Sequence, residues 1–521
     1  MLDNTIKEQL KAIFANLDSD IALRLCVKGG SPQAPDEITG FLNDVASSSP
    51  RLSVEIADCD VAAPVFEIIK NGIPTGIRFC GIPNGHEFTT LLLAILNADG
   101  QGKNMPDETL CRRIKALKGP VELQTFVSLT CTNCPEVAQA LNIIALLNPE
   151  ISNTVIDGAV VQQLVETLNI QSVPTVYADN RLLSVGRSTL GDLLGKLEAI
   201  YGTTNNNETA PMTHRHDVVV IGGGPAGAAA AVYCARKGFK TAIVAKTIGG
   251  QVKETMKIEN LISVPETTGP QLAADLKEHI SRYPIDIFEN RTVESADISG
   301  KEKVIISDAN ETFRCKALII ATGASWRKLS IPGESEHLGH GVAFCTHCDG
   351  PFYAGRHVAV VGGGNSGIEA AIDMAALCPH VDVFEFTDTI KADRILKEKA
   401  TSMPNIDIHV SSQVVAIEGD GKNVSGIRVK DRISGIETIY PVSGVFVQIG
   451  LVPNSRLFQH MLPVTTSGEI IVDRWCRTSV KGVYASGDVT DTPYKQIIVA
   501  MGEGAKAALS LSEDSMHGIL D

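Results

Sequence analysis

Apolar and polar positions divide the chain into two regions of different rhythm. In the first two hundred residues, short runs such as I-A-L-R-L-C-V (21–27) and V-E-L-Q-T-F-V (121–127) read as strands set between helical stretches. Shifted by 100 residues, these two runs superpose and Pro35 falls on Pro135. With one residue dropped, Pro50 falls on Pro149, Ser53 on Ser152 and Asp58 on Asp157. Each copy reads strand, helix, strand, Pro-containing turn, strand pair and final helix, so the pattern predicts a divergent repeat over 1–100 and 101–200. Residues 201–216, Y-G-T-T-N-N-N-E-T-A-P-M-T-H-R-H, lack apolar periodicity and end against the strand-like D-V-V-V-I. They predict a linker, placed at 201–213. Beyond it, apolar strands alternate with helices, the pattern of a doubly wound α/β fold.

Two glycine-rich turns punctuate this second region. Gly222, Gly224 and Gly227 follow one apolar strand and open an Ala-rich helix; Gly362, Gly364 and Gly367 do the same further on. Such a turn lets backbone approach a pyrophosphate and aims a helix N-terminus at its charge. Two of them, each between strand and helix, predict two dinucleotide sites. In the later unit, V-D-V-F-E-F places Glu385 eighteen residues past Gly367, where a carboxylate accepts both ribose hydroxyls and repels a 2′-phosphate. NADH is therefore expected over NADPH, with Lys391 and Arg394 close enough in sequence to keep NADPH open. The earlier unit carries Lys246 where an acid is usual, so its ribose contact comes from elsewhere. A nicotinamide beside a flavin makes a hydride relay, which two cofactors of one kind would not. The strands A-L-I-I-A-T-G-A (317–324) and G-V-Y-A-S-G-D-V (482–489), the latter ending in Asp488, support FAD in the first site.

Composition narrows the function classes. A hydrophobic content of 44% and a charged content of 20% are those of a globular chain. A net charge of −14 without a Lys/Arg-rich run argues against nucleic acid and anionic membranes. The N-terminus M-L-D-N-T-I-K-E-Q-L does not read as a signal peptide, and F-T-T-L-L-L-A-I-L near residue 90 is too short to span a bilayer. A cytoplasmic location is expected. There the twelve cysteines read as thiols or catalysts rather than as a disulfide framework. Cys59, Cys80, Cys234, Cys315, Cys378 and Cys476 are isolated and read as small buried hydrophobes.

Four cysteines form C-x-x-C pairs, C-T-N-C at 131–134 and C-T-H-C-D-G at 345–350. The repeat sets Cys131 and Cys134 opposite Ser31 and Ala34, so one copy keeps the pair and the other does not. A zinc site built from both pairs would have to close a loop of some two hundred residues, far beyond the 15–20 of zinc ribbons, and no metal is expected. In a C-x-x-C motif the first thiol is acidified and attacks a disulfide, and the second resolves the mixed disulfide. Cys131 is then the attacker and Cys134 the resolver.

The motifs G-G-G-P-A-G (222–227), G-G-Q (249–251), I-E-N (258–260), A-T-G, F-C-T-H-C-D-G-P, G-G-G-N-S-G (362–367), A-S-G-D and Y-K-Q-I-I-V-A-M-G-E-G resemble the low-molecular-weight thioredoxin reductases over roughly 214–515. With the doubled thioredoxin-like segment in front, the whole chain is similar to the flavoprotein subunits of bacterial alkyl hydroperoxide reductase, the NADH-dependent reductases of a peroxiredoxin. The resemblance implies an α/β fold: tandem thioredoxin-like folds, then Rossmann-like, three-layer FAD- and NAD-binding domains. It implies an FAD domain over 214–328 and 445–521, interrupted by an NAD domain over 329–444.

The residue roles follow from the same resemblance. FAD is expected at Gly222, Gly224, Pro225, Ala226, Gly227, Gly250, Gln251, Asn260, Thr322, Gly323 and Gly487, with Asp488 on the ribityl chain and Lys495 and Gln496 at the flavin. NAD is expected at Gly362, Gly364, Asn365, Ser366, Gly367 and Glu385. Cys348 would face the flavin, Cys345 would carry out exchange and Asp349 would donate a proton, while Pro174 of S-V-P-T would be the cis proline beside the Cys131/Cys134 pair. Thioredoxins carry a buried acid six residues before the first Cys; Thr125 stands there in this chain. The first repeat offers Glu87, in N-G-H-E-F, as a substitute; the alternative is an exposed turn glutamate. The implied path is NADH to FAD to Cys345/Cys348 to Cys131/Cys134 to a peroxiredoxin, in a homodimer. A thioredoxin reductase fused to its own thioredoxin-like domain, a peroxide-forming NADH oxidase and a flavin-bound sensor are the alternatives.

Overall fold

The structure, a computed structural model, describes every residue except 1, 28–35, 60–62, 132, 169, 171–172, 205–211, 256–257, 339, 345, 421–422 and 521. It comprises two compact units, Met1–Ala210 and Pro211–Asp521.

The first unit is built on one eight-stranded sheet. Its order is Leu52–Asp58, Ile21–Val27, Val65–Lys70, Ile73–Cys80, Ile151–Asp157, Val121–Val127, Thr175–Ala178 and Arg181–Val185. The two halves repeat one topology: a parallel pair, then two antiparallel neighbours. Parallel pairing of Ile77–Cys80 with Asn153–Ile156 fuses them. The repeat seen in sparse sequence matches is thus a repeat of strand order, although Ser31, Ala34 and Pro35 lie outside the described residues.

Helix Cys134–Leu147, with Pro135 in its first turn, shows why the sequence there is apolar nearly all round. One set of its residues (Cys134, Ala138, Ala145) packs in the core of the first half, and another (Val137, Leu141, Ile144) in that of the second. A helix apolar on every side is a buried helix. Beneath it, Thr125 donates to Asn153 Oδ1 (2.8 Å), and Asn153 Nδ2 donates to Asn142 Oδ1 (2.8 Å), all three side chains buried.

In the second unit, one sheet runs Ile285–Phe288, Thr241–Val244, Met212–Ile221, Glu311–Ile320, Lys303–Ser307 and Val293–Asp297, with Val483–Ala485 also beside Glu311–Ile320. The central strands are parallel, and their segments Val218–Ile221, Thr241–Val244 and Ala317–Ile320 are buried, which is why these read as apolar runs. The strand after the linker begins at Met212, two residues before the expected 214. Its polar start is held by pairing of Met212–His216 with Glu311–Cys315, not by apolar burial.

A second parallel sheet, Val342–Ala343, Gly444–Val447, His357–Val361, His380–Phe384 and Ile406–His409, carries the second glycine-rich turn. Its face is covered by the three-stranded sheet Ser412–Gly419, Val424–Asp431 and Glu437–Tyr440. The chain returns to the first sheet later than the expected residue 445, because Gly444–Val447 still pairs with His357–Val361. The two crossings, Ala324–Trp326 and Leu451–Pro453, form an antiparallel pair of their own.

Candidate active site

Each glycine of the first turn has its own physical reason. Gly222 has φ +112°, and a Cβ there would collide with the Ala321 carbonyl. A Cβ on Gly227 would collide with the Gly222 carbonyl, so helix and turn touch backbone to backbone. At Gly224, the N-cap of helix Pro225–Arg236, a Cβ would meet nothing within 4 Å. The second turn repeats this at Gly362, Gly367 and Gly364, the last being the N-cap of helix Asn365–Ala375. Open space over a helix N-terminus, with tight packing on either side, fits a dinucleotide pyrophosphate at both turns.

Several of the other segments expected at FAD meet the first turn or one another. A Cβ on Gly250 would lie 3.2 Å from Gly224 Cα, and one on Gly487 would lie 2.8 Å from Ala226 Cβ. Thr322 Oγ1 donates to the Asn454 carbonyl (2.8 Å), and Gly323 takes φ +68°. The Gln251 carboxamide lies between the Ala324 carbonyl and the Trp326 indole N–H. Asn260 Nδ2 donates to Gln496 Oε1 (3.3 Å) across 236 residues of sequence. The Ser486 hydroxyl is buried with no hydrogen-bond partner, and burial pushes the neighbouring Asp488 carboxyl up against the opposing pull of Lys495. Unpaired polar groups here are what a polar ligand would satisfy. Lys495 is otherwise engaged: Nζ donates to the carbonyls of Thr490 (2.5 Å) and Thr492 (2.9 Å) and pairs with Glu469 (2.9 Å).

An acid after the second strand separates the two turns. Glu385 is buried, with Oε2 accepting from Gly363 N (2.6 Å) and Oε1 from Thr387 N (2.8 Å) and Oγ1 (2.6 Å). Burial works to raise its carboxyl, but hydrogen bonds from Thr387 and Gly363, together with Lys391, outweigh that and hold it below the ordinary range. No spacing rule along the chain signals that Thr387 would hold this carboxylate. Asn365 and Ser366 are exposed at the helix start, and Asn365 exchanges two hydrogen bonds with Asp393. At the first turn, the neighbour of Gly223 is the main chain of Thr247, and Lys246 takes the place of the acid.

Of the thiol pair in this unit, Cys345 lies outside the described residues, and Cys348 stands in the short helix Thr346–Asp349. Burial pushes the Asp349 carboxyl up to about 6.

In the first unit, Cys131 and Cys134 form a disulfide at the N-terminus of helix Cys134–Leu147, with Cα atoms 5.5 Å apart. Cys134 is fully buried and Cys131 half-buried. Cys134 N donates to Cys131 Sγ (3.2 Å), and the Val173 carbonyl, whose peptide to Pro174 is cis, lies 3.8 Å from the same sulfur. The position of the usual thioredoxin acid is filled by Thr125, locked into its asparagine chain.

Glu87 is not an exposed turn residue. It is 1% exposed, and neither carboxylate oxygen has a hydrogen-bond partner. Its turn, Gly85–Glu87, packs against helix Cys134–Leu147, and His86 N donates to the carbonyl of Leu129, two residues before Cys131. Burial pushes its carboxyl up to about 7.

Two dinucleotide turns in one unit, and a disulfide at a helix N-terminus in the other, define a pyridine nucleotide-disulphide oxidoreductase joined to a thioredoxin domain. Residues 216–504 match the pyridine nucleotide-disulphide oxidoreductase family and residues 121–198 the thioredoxin domain. A thioredoxin reductase from Streptococcus pyogenes superposes with a TM-score of 0.56 at 32% identity, covering 58% of this chain and 99% of that one. The F subunit of alkyl hydroperoxide reductase in Pseudomonas aeruginosa is 41% identical over 98% of both chains. A Bacillus subtilis relative named NADH dehydrogenase is 43% identical, again over 98% of both. The chain belongs to the family of alkyl hydroperoxide reductase F subunits and is an oxidoreductase. Among the described residues, no helix is long and apolar enough to cross a membrane.

Proposed function

We propose that this protein is an NADH-dependent reductase that draws electrons through FAD and two cysteine pairs to the disulfide of a peroxiredoxin, so supporting reduction of alkyl hydroperoxides and hydrogen peroxide. The reading includes a homodimer at work in the cytoplasm. The observation that carries it is the Cys131–Cys134 disulfide at a helix N-terminus, half-open at Cys131 and closed at Cys134, in a chain that also holds two dinucleotide turns. FAD, when bound, takes a hydride from the nicotinamide and passes two electrons to a disulfide.

The chain's own groups do the rest. Gly222–Gly227 and Gly362–Gly367 offer backbone N–H groups to the two pyrophosphates, and Glu385, ionised and pinned, accepts from the ribose hydroxyls. Asp349, raised to about 6 by burial, holds or yields a proton near neutral pH next to Cys348 in sequence. The Cys345 thiolate attacks the Cys131 sulfur and Cys134 leaves as thiolate. Cys348 then attacks Cys345 and frees Cys131, so one disulfide forms as the other breaks. Cys131, favoured as thiolate by the helix N-terminus, repeats the attack on the partner's disulfide, and Cys134 resolves it. Glu87 supplies a proton-exchanging carboxyl behind this pair.

Steady-state NADH oxidation with and without a peroxiredoxin and a hydroperoxide tests the reading. Turnover should depend on both. The name of the Bacillus subtilis relative favours a second reading, NADH oxidation without a thiol partner. Undiminished turnover with oxygen alone would support that reading instead.

A further inference from the structure

Three histidines converge on one buried carboxylate in the nucleotide sheet, among residues that the electron path does not use. His357 and His380 are the first residues of adjacent parallel strands and stand in register, with ring centroids 4.6 Å apart. Asp382 lies two positions along from His380 and so projects from the same face. Its side chain is 4% exposed, with Oδ2 2.8 Å from His357 Nε2 and Oδ1 3.6 Å from His380 Nε2. Oδ1 is also 2.8 Å from His409 Nε2, on the next strand. Asp407, the register partner of Asp382, brings Oδ2 to 3.5 Å from His380 Nε2.

We propose that His357, His380 and Asp382 form a binding site for a divalent transition metal of the Zn2+ class, with water completing the coordination. The three ligand atoms lie within 4.8 Å of one another. Tetrahedral zinc with bonds of about 2.0–2.1 Å sets its ligand atoms about 3.3 Å apart. His357 Nε2 lies 2.8 Å from Oδ2 and His380 Nε2 3.6 Å from Oδ1, so binding requires the side chains to shift until one carboxylate oxygen faces both rings.

Two imidazoles and a carboxylate select Zn2+, Ni2+ or Cu2+ over Ca2+ or Mg2+, which prefer oxygen alone. His357 and His380 are each about one-third exposed (32% and 35%), which gives the ion a way in. His409 stays as the group that orients the carboxylate through its second oxygen, the usual partner of a metal-bound side chain. The alternative is a carboxylate that merely accepts hydrogen bonds from two imidazoles. That arrangement leaves His380 only the longer contacts, 3.6 Å to Asp382 and 3.5 Å to Asp407, whereas a metal uses all three convergent atoms. The two histidines start their strands, whereas the glycine-rich turn follows the other end, so the ion would clamp the sheet rather than join the chemistry.

The experiment uses the full-length, FAD-loaded protein with both C-x-x-C pairs oxidised and Cys26→Ser, which removes the thiol paired with Cys59, so that no dithiol competes for the metal. Calorimetry with Zn2+ should show a single ion bound per chain, and H357A/H380A should weaken it by about tenfold or more. Co2+ should give a difference spectrum without sulfur-to-metal charge transfer. His380→Gln, which keeps the ring's bulk and a polar end, serves as the milder variant, and unchanged reduction of the flavin by NADH shows that each variant is folded. Failure of the oxidised Cys26→Ser protein to bind Zn2+, equal affinity in both histidine variants, or a thiolate band with Co2+ would each overturn the proposal.

Discussion

A carboxyl raised to about 7 with no hydrogen-bond partner, as at Glu87, costs the folded chain free energy whenever it ionises. The folded value lies above the unfolded one, near 4.5, so the folded state binds the extra proton. Glu87 therefore costs nothing below about pH 4.5, and stability falls as pH rises from there through 7. Glu87→Gln should match the wild type at pH 4.5 and exceed it at pH 8 by up to about 3 kcal/mol in urea unfolding. If the carboxyl also exchanges protons with the thiol pair, the variant will slow peroxiredoxin reduction while flavin reduction by NADH proceeds unchanged. At Glu385 the sign is opposite, because the ionised form is the one held in place. Glu385→Gln should weaken binding of either coenzyme, since Gly363 and Thr387 lose their partner, but should also narrow the NADH-over-NADPH ratio of kcat/KM by about tenfold, ~1.4 kcal/mol. Equal use of the two coenzymes by the unmodified protein would sink this role for the acid. The place of Glu385 against the glycine-rich turn was legible in the sequence because strand, turn and acid lie within one βαβ unit. Glu87 was only half legible: N-G-H-E-F reads as a turn, and its burial comes from Leu129 and helix Cys134–Leu147 of the other repeat.

Strand positions explain more of the molecule than residue types do. The apolar runs 218–221 and 317–320 were legible as buried strands, yet the first strand extends back to Met212 because Glu311–Cys315 pairs with a stretch that has no apolar pattern. At the head of that partner strand, Arg291 and Glu311 are both essentially unexposed, with Arg291 Nε and Nη2 donating to the two carboxylate oxygens at 2.8 and 3.1 Å. Arg291 Nη1 also donates to the Glu289 carbonyl, at the end of the neighbouring edge strand. Removing one partner of such a pair strands a buried charge, so Arg291→Met should cost roughly 3–5 kcal/mol. Arg291→Met with Glu311→Leu should recover most of that loss, because neither charge then remains. Urea unfolding of the three proteins checks this; a double variant no better than the single one would mean that the pair holds the strand by geometry rather than by charge balance. The histidine cluster around Asp382 illustrates the limit of reading by spacing. His357, His380 and His409 match no metal motif along the chain, and parallel register alone brings them together.

At the scale of the whole chain, the two units Met1–Ala210 and Pro211–Asp521 divide the proposed relay into a terminal carrier and a flavoprotein. The glycine-rich turns and Cys348 belong to the second unit, and the Cys131–Cys134 disulfide to the first. Replacing Cys131 and Cys134 by Ser should therefore leave reduction of bound FAD by NADH intact, and electrons should still reach Cys345 and Cys348, while peroxiredoxin-dependent peroxide reduction collapses. Cys345→Ser with Cys348→Ser should fail one step earlier: the flavin is reduced, but Cys131–Cys134 stays oxidised. Cutting the chain within 201–216 should reproduce the first phenotype, leaving a flavoprotein that reduces only small disulfides or oxygen. Rapid-mixing absorbance of the flavin, thiol titration of each pair and the coupled peroxide assay read the three steps separately. A linear path requires this order, because each variant blocks everything after its own pair and nothing before it. Should the Cys131/Cys134 variant reduce the peroxiredoxin at an undiminished rate, the first unit is off the path. Its doubled sheet would then be a surface for holding the partner, and the half-open disulfide a remnant of the repeat rather than its working end.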